Sequence, residues 1–253
     1  MRVAIHQPNF MPWLGLFHRL ARVGRFVVFD HVQAMGGRSW LSRNRIMVGG
    51  EAHWLTVPVR KAGRLGQRID EVEIDHSADF GRKHLRTLEL SYRKAPHAAP
   101  VLEMLADLYG RQHRLIADFN LAFTRAVCAA LGLRVEFLHS SALAAADPSL
   151  AAAAGNELVL RICQAAGADE YVSGSGCLDF IRPESFEAAG IAFHFQRFDP
   201  PVYPQQGSRS FVSHLSVVDA LCNLGPDGVR ALIDRPGLER PCPGGLPAET
   251  TLG

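Results

Sequence analysis

Residues 3–30 read VAIHQPNFMPWLGLFHRLARVGRFVVFD, and the order of residue types in this stretch decides the fold class. Residues 2–6 have the short apolar run of a buried strand, and 25–32 have that of a second. Between them, LGLFHRLARVG places apolar residues at helical spacing and ends at Gly24, a natural helix stop. Strand, turn, helix and strand in this order form a βαβ unit, which favours parallel pairing and a right-handed crossover. The apolar run ends abruptly in His6, Gln7, Pro8 and Asn9, with Pro12 close behind. Prolines fix φ and turn the chain out of strand geometry, so the polar side chains beside them are held in place.

Working outward, the pattern alternates again after residue 134. RVEFLHSS (134–141), EYVSGSG (170–176) and IAFHFQRF (191–198) read as strands, and NELVLRICQAAG (156–167) and PESFEAAG (183–190) as the helices between them. Together with the opening unit they predict an α/β fold with an open, mostly parallel, doubly wound sheet. HWLTVPV (53–59) and RIDEVEID (68–75) are expected to be further strands, with Arg38, Arg43, Asn44 and Arg45 on the loop ahead of them. A helical middle segment is expected over about 78–132, closing at Gly132. FVSHLSVVDALCNLG (211–225) predicts a last helix, and ALAAADPSLAAAAG (142–155) a linker or loose helix. The expected organisation is one domain over 1–235 and a flexible, Pro/Gly-rich tail over 236–253.

Composition narrows the function classes. The 253 residues are 47% hydrophobic and 21% charged with a net charge of +2, the balance of an ordinary globular chain. Its 27 basic residues alternate with acids, so nucleic acid is not an expected partner. No run approaches a bilayer-spanning length, and the opening residues, broken by His6 and Pro8, are not expected to be a secretion signal. Five scattered cysteines without a CxxC pair suit reduced thiols, and the expected location is the cytoplasm. The histidines show no metal-ligand spacing, so no metal site is expected.

Ligands of open α/β sheets sit beyond the carboxyl ends of the strands. That rule selects HQPNFMP, HSS (139–141) and SGSG (173–176) as candidate site segments, with the turn after FHFQRFDPPVYPQQ. His6 and Gln7 offer donors and acceptors, and Gly15 would let a ligand approach the helix start. A capped turn around a satisfied, buried histidine fits the same residues. Arg43 and Arg45 suit a phosphate or carboxylate, or a plain solvated loop. Lys83 and His84 open a helix. Asn120 interrupts an apolar helix face and needs partners, either backbone or ligand. His214, Ser216 and Asp219 resemble a triad in composition, but His214 and Ser216 at i and i+2 would not face each other on a helix. Capping by Ser216, with Asp219 completing the cap, is the preferred reading.

The motifs HQPNFMPWLGLFHRL, RNRI, WLTVPV, KHLRTLELSY, HSS, YVSGSG, YPQQ and FVSHLSVVDALCNLG resemble those of the WbqC-like family of bacterial proteins, from about residue 2 to about residue 230. The resemblance implies a role in O-antigen or other surface-glycan biosynthesis, with transfer of glycine or another acyl or aminoacyl unit to an amino sugar. A glycosyltransferase-like enzyme and a non-catalytic nucleotide- or sugar-binding component are the alternatives. The opening unit also resembles the HIGH-type nucleotidyltransferases, although Leu16 follows Gly15 where their second histidine would stand. ATP is therefore a candidate cofactor, with Arg43 and Arg45 on its phosphates. Matched onto the motifs, catalysis is expected of His6, Lys83 and His84. Substrate binding is expected of Gln7, Asn9, Gly15, Arg43, Asn44, Arg45, Ser141, Ser173, Gly174, Tyr203 and Gln205. The expected partner is a small molecule, an amino acid together with a nucleotide-linked or amino sugar.

Overall fold

A computed structural model describes residues 1–35, 39–177 and 179–240. The opening stretch folds as its pattern demands: β1 (Arg2–His6), α1 (Leu14–Leu20) and β2 (Arg25–Val28), with β1 and β2 parallel. A hairpin follows, β3 (Arg43–Val48) and β4 (Glu51–Thr56), turning at Gly49 and Gly50, both at positive φ. Three helices make the middle segment: α2 (Phe80–Tyr92), α3 (Ala98–Gly110) and α4 (Ile116–Ala130). On α2, His84, Leu88 and Tyr92 recur every four residues and form its buried stripe. The α/β alternation then resumes with β5 (Glu136–His139), α5 (Ser140–Ala146), α6 (Ser149–Ala152), α7 (Gly155–Ala165) and β6 (Glu170–Ser173). It ends with α8 (Pro183–Ala188), β7 (Ala192–Gln196), α9 (Val217–Ile233) and β8 (Leu238–Glu239).

The main sheet has six strands in the order β5-β2-β1-β6-β7-β8. All pairs are parallel except β7 with β8. The predicted open α/β sheet is therefore the observed one. From β1 the chain leaves toward β2 and β5 on one side, and from β6 it goes on to β7 on the other. The crevice beyond the carboxyl ends of β1 and β6 is thus the topological switch point, where such sheets bind ligands. One face of the sheet packs with the middle helices and α9 in a core that includes Phe17, Leu88, Phe123 and Val218. The other face packs with α7 and α8 around Tyr171, Phe186 and Phe193.

Several expectations need correction. Residues 68–75 are not a strand. Ile69 N–H donates to Val32 and Ile74 N–H to Arg114, so the segment meets different partners in turn and builds no ladder; Ile69–Glu71 coil into a 3₁₀ turn. Arg43, Asn44 and Arg45 lie within β3 and not ahead of a strand, because the pairing partner of β4 is upstream; Arg38 lies outside the described residues. The last helix starts at Val217, six residues late. His214 has φ 56, which no helix accommodates, and beyond a kink at Gly225 (φ 69) and Pro226 the helix runs on to Ile233. The alanine-rich stretch forms α5 and α6. The expected tail begins as β8, paired to β7 through Phe195↔Glu239 and Gln196↔Leu238; residues 241–253 lie outside the described residues.

Candidate functional site

Parallel pairing sets the ends of five strands side by side, so one edge of the sheet carries His139, Asp30, His6, Ser173 and Gln196 in spatial order. His6 closes β1. Its register with β2 (His6↔Val28) and that of β1 with β6 (Ala4↔Val172) bring it beside Ser173 and Gly174. Two of the segments picked by the strand-end rule, HQPNFMP and SGSG, are therefore neighbours. His6 Nδ1 lies 2.7 Å from the Gln7 carbonyl. Burial lowers its pKa to about 4, and the positive charge of Arg19 adds to the shift, so the ring is neutral at neutral pH.

Arg19 is the group that sequence reading missed. It sits on α1, is 8% exposed, and donates from Nε to Gln196 Oε1 at 2.8 Å. Gln196, at the end of β7, is itself fixed by donating to the Gly15 carbonyl at 2.7 Å. The guanidinium lies against Gly174, where any side chain would collide with it. Gly174 is thus needed to admit Arg19. Among the described residues no carboxylate pairs with Arg19, and the titratable groups beside it, Tyr171 and Cys177, are kept neutral by burial. Burial lowers its pKa, yet a guanidinium stays protonated. A buried, unpaired cation is expensive by several kcal/mol. Placed at the switch point of the sheet, it is a candidate receptor for an anion.

At the ends of β2 and β5 a second polar group is assembled. Asp30, 2% exposed, accepts from His139 Nδ1 at 2.6 Å, from Ser140 Oγ at 3.1 Å and from the Ser141 N–H at 2.8 Å. Burial opposes its ionisation, but the bonds from His139 and Ser141 outweigh it and hold the carboxyl below its usual range. The same hydrogen bond raises His139 above the ordinary imidazole value. With Nδ1 anchored on a carboxylate and a partly exposed ring, His139 is oriented as a proton acceptor through Nε2. Ser140, fully buried, holds the group together by accepting from the Asp30 N–H (3.0 Å) and from His31 Nδ1 (2.7 Å).

The bend after β1 is clamped by two buried amides. Asn120 Nδ2 donates to the carbonyls of Pro8 (2.7 Å) and Leu41 (2.8 Å). Asn44 Nδ2 donates to those of Met11 (2.8 Å) and Phe10 (3.2 Å). Asn44, expected to bind substrate, thus anchors the loop. The side chains of Gln7 and Asn9 are half-buried and have no protein hydrogen bond among the described residues.

Other expected site residues lie elsewhere. The space over Gly15 is filled by the Trp13 indole, so this glycine admits a tryptophan. Lys83 is exposed on α2. His84 is buried, shares a 2.8 Å hydrogen bond with Tyr109 Oη, and packs on Phe10 and Phe80. Burial lowers its pKa to about 4 despite a bond to the Thr56 backbone. A hollow of about 760 Å³ opens beside this aromatic cluster, lined by Phe80, Leu85, Leu102 and Tyr109, and neither His6 nor Ser173 borders it. Tyr203 and Gln205 both bond the fully buried Asp219, at 2.7 and 2.9 Å, and Tyr92 donates to its other oxygen at 3.1 Å. Asp219 is therefore the hub of a network joining α2, α9 and the 203–205 turn, and not part of a cap. Ser216 does cap α9, accepting from the Val218 N–H. Ser141 stays at the edge, on Asp30. Among the described residues no three His, Cys, Asp or Glu side chains gather as metal ligands. Burial pushes the Cys128 thiol up to about 12 and raises Cys163 and Cys222 as well, which leaves them unreactive.

Comparison with known proteins agrees with the motif resemblance. A model of the WbqC-like protein family matches residues 7–231. A Mycobacterium tuberculosis (strain ATCC 25618 / H37Rv) protein described as uncharacterized protein Rv1507c is 33% identical over 233 residues, covering 90% of this chain and 97% of that one. No solved structure matches. No helix among the described residues is long and apolar enough to cross a membrane.

Proposed function

Since this chain belongs to the WbqC-like protein family, we propose that it is a biosynthetic enzyme of surface glycans that transfers an acyl or aminoacyl unit, glycine being the simplest, to the amine of an amino sugar. The observation that carries a small-molecule enzyme is Arg19, a buried cation paired with no carboxylate among the described residues, at the switch point of the sheet. It would hold the phosphate or carboxylate of a substrate, with Gln7 and Asn9 on its polar rim. In the transfer a C–N bond forms between the sugar amine and the carbonyl carbon of an activated acyl donor. The bond from that carbon to the leaving oxygen breaks, and the leaving group departs with the electron pair. His139 Nε2 would take the proton released by the amine, with Asp30 stabilising the imidazolium formed. Arg19, farther along the same edge, would hold the anionic part of the donor. His6, neutral at pH 7, would donate or accept a hydrogen bond without adding charge.

The test is a binding and turnover screen of the purified protein with ATP, amino acids, amino sugars and nucleotide-linked amino sugars. An amino acid or other carboxylate donor should raise the melting temperature of the wild-type protein and leave that of Arg19→Gln unchanged. His139→Ala should retain that shift and lose product formation. If no compound class gives an Arg19-dependent shift, the reading fails.

A further inference from the structure

The three tryptophans of the chain gather around the β3–β4 hairpin and the approach to α9. Arg43 and Arg45 alternate along β3 and emerge on the same face as Trp54, the cross-strand partner of Arg45. Their guanidiniums lie 3.8 and 5.7 Å from the Trp54 ring centre. Trp40 packs on Trp54 at 5.3 Å, and the two rings are 47% and 38% exposed. Trp13 borders the cluster through His214, its ring 4.8 Å away.

Three polar atoms here are buried without a partner among the described residues: Nε of Arg43, Nε of Arg45 and Nε2 of His214. Neither arginine forms a salt bridge among the described residues, although arginines elsewhere, such as Arg60, Arg64 and Arg114 on Glu73, do. A buried donor with no acceptor costs about 1–3 kcal/mol, and native structures hold few of them without a reason. His214 also keeps φ 56, a conformation rare for a residue with a side chain. Two cations two residues apart on a strand, without a carboxylate partner among the described residues, beside a pair of partly exposed indoles form a recognisable pair of features. The first suits adjoining phosphates, which arginine forks bind bidentately. The second suits a flat ring, which stacks on an indole.

We infer that this face is a second ligand site and takes a nucleoside diphosphate, free or as the carrier of a sugar, with Arg43 and Arg45 on the diphosphate and the Trp40–Trp54 pair on the base. The site is distinct from the Arg19 edge, and the inference does not rest on the acyl-transfer reading. Loss of transfer with nucleotide binding intact would sink only that reading.

Since all the tryptophans belong to or border this face, intrinsic fluorescence reports it directly. Titration of the full chain with uridine diphosphate should quench the emission saturably. Inorganic pyrophosphate and uridine should each bind at least tenfold more weakly. Arg43→Gln and Arg45→Gln should each weaken the diphosphate at least tenfold, and Arg19→Gln should leave it unchanged. Trp40→Ala, at an exposed ring, keeps the test decisive should an arginine variant misfold, and it should weaken the nucleotide more than pyrophosphate. Four results would overturn the assignment: no saturable quenching, pyrophosphate binding as tightly as the nucleotide, folded variants that bind like wild type, or a loss confined to Arg19→Gln.

Discussion

Asn120→Ala should destabilise the fold by loosening the bend after β1. The amide is fully buried on α4 and donates to the carbonyls of Pro8 and Leu41, both on buried residues. Truncation removes both donors and leaves two buried acceptors bare, at about 1–3 kcal/mol each. Part of this is offset, because Oδ1 of Asn120 is already buried without a partner and disappears with the amide. The small cavity left behind adds to the loss. The net expectation is about 2–4 kcal/mol, which for a chain of this size lowers the melting temperature by roughly 5–15 °C. Calorimetry or far-UV circular dichroism melts measure it, with urea titration as a second measure. Thr124→Val is the control. Thr124 Oγ1 donates to the carbonyl of Asn120 one helical turn earlier and holds nothing outside α4, so that change should lower the melting temperature by no more than a few degrees. A melt of Asn120→Ala within about 1 °C of wild type would refute the clamp, as would an equal loss in Thr124→Val.

Gly174→Ala should push Arg19 out of its slot, with a stability loss of about 1–3 kcal/mol; adding Arg19→Ala should recover part of it, and a strictly additive double mutant would deny their contact. Acid should destabilise the protein through its neutral histidines. His18 and His84 are held near pKa 4 by burial, so their stabilisation is complete above about pH 6.5 and lost as pH falls toward 4. The slope is about 1.4 kcal/mol per pH unit for each ring, and replacing His84 with Gln should flatten urea-derived stability curves below pH 6. The Asp30–His139 pair acts over a window. Its contribution is present above the ordinary carboxylate pKa and below the ordinary imidazole pKa. It is lost as pH rises through the elevated His139 value, or falls through the depressed Asp30 value. Asp30→Asn should therefore return the His139 titration, followed by NMR, toward the ordinary imidazole value. An unmoved titration would exclude Asp30 as its cause.

How much of this was legible beforehand varies residue by residue. The βαβ opening and the later helix–strand alternation could be read because periodicity is local: a buried strand and an amphipathic helix print their own spacing. The strand-end rule then located His6, Gln7, Ser173 and Gly174, since parallel pairing makes strand ends neighbours whatever the loops do. Residues 68–75 defeated the same approach, because an alternating pattern does not say whether a pairing partner exists. Tyr203 and Gln205 looked like ligand-binding groups, yet their polar atoms meet Asp219, a partner over a dozen residues away.

By itself, then, the sequence determined the elements, the parallel sheet and the edge on which a site would lie, all consequences of local patterning and chirality. Tertiary structure alone decided which polar groups are buried and which find partners. Arg19 in HRLAR looks like any helix-surface arginine, and its isolation arises from Gly174 and Gln196, which come from strands more than 150 residues downstream. Asp30 and His139 are likewise unremarkable until β2 and β5 pair. Charge burial and hydrogen-bond satisfaction depend on contacts distant in the chain, and no pattern of neighbouring residues encodes them.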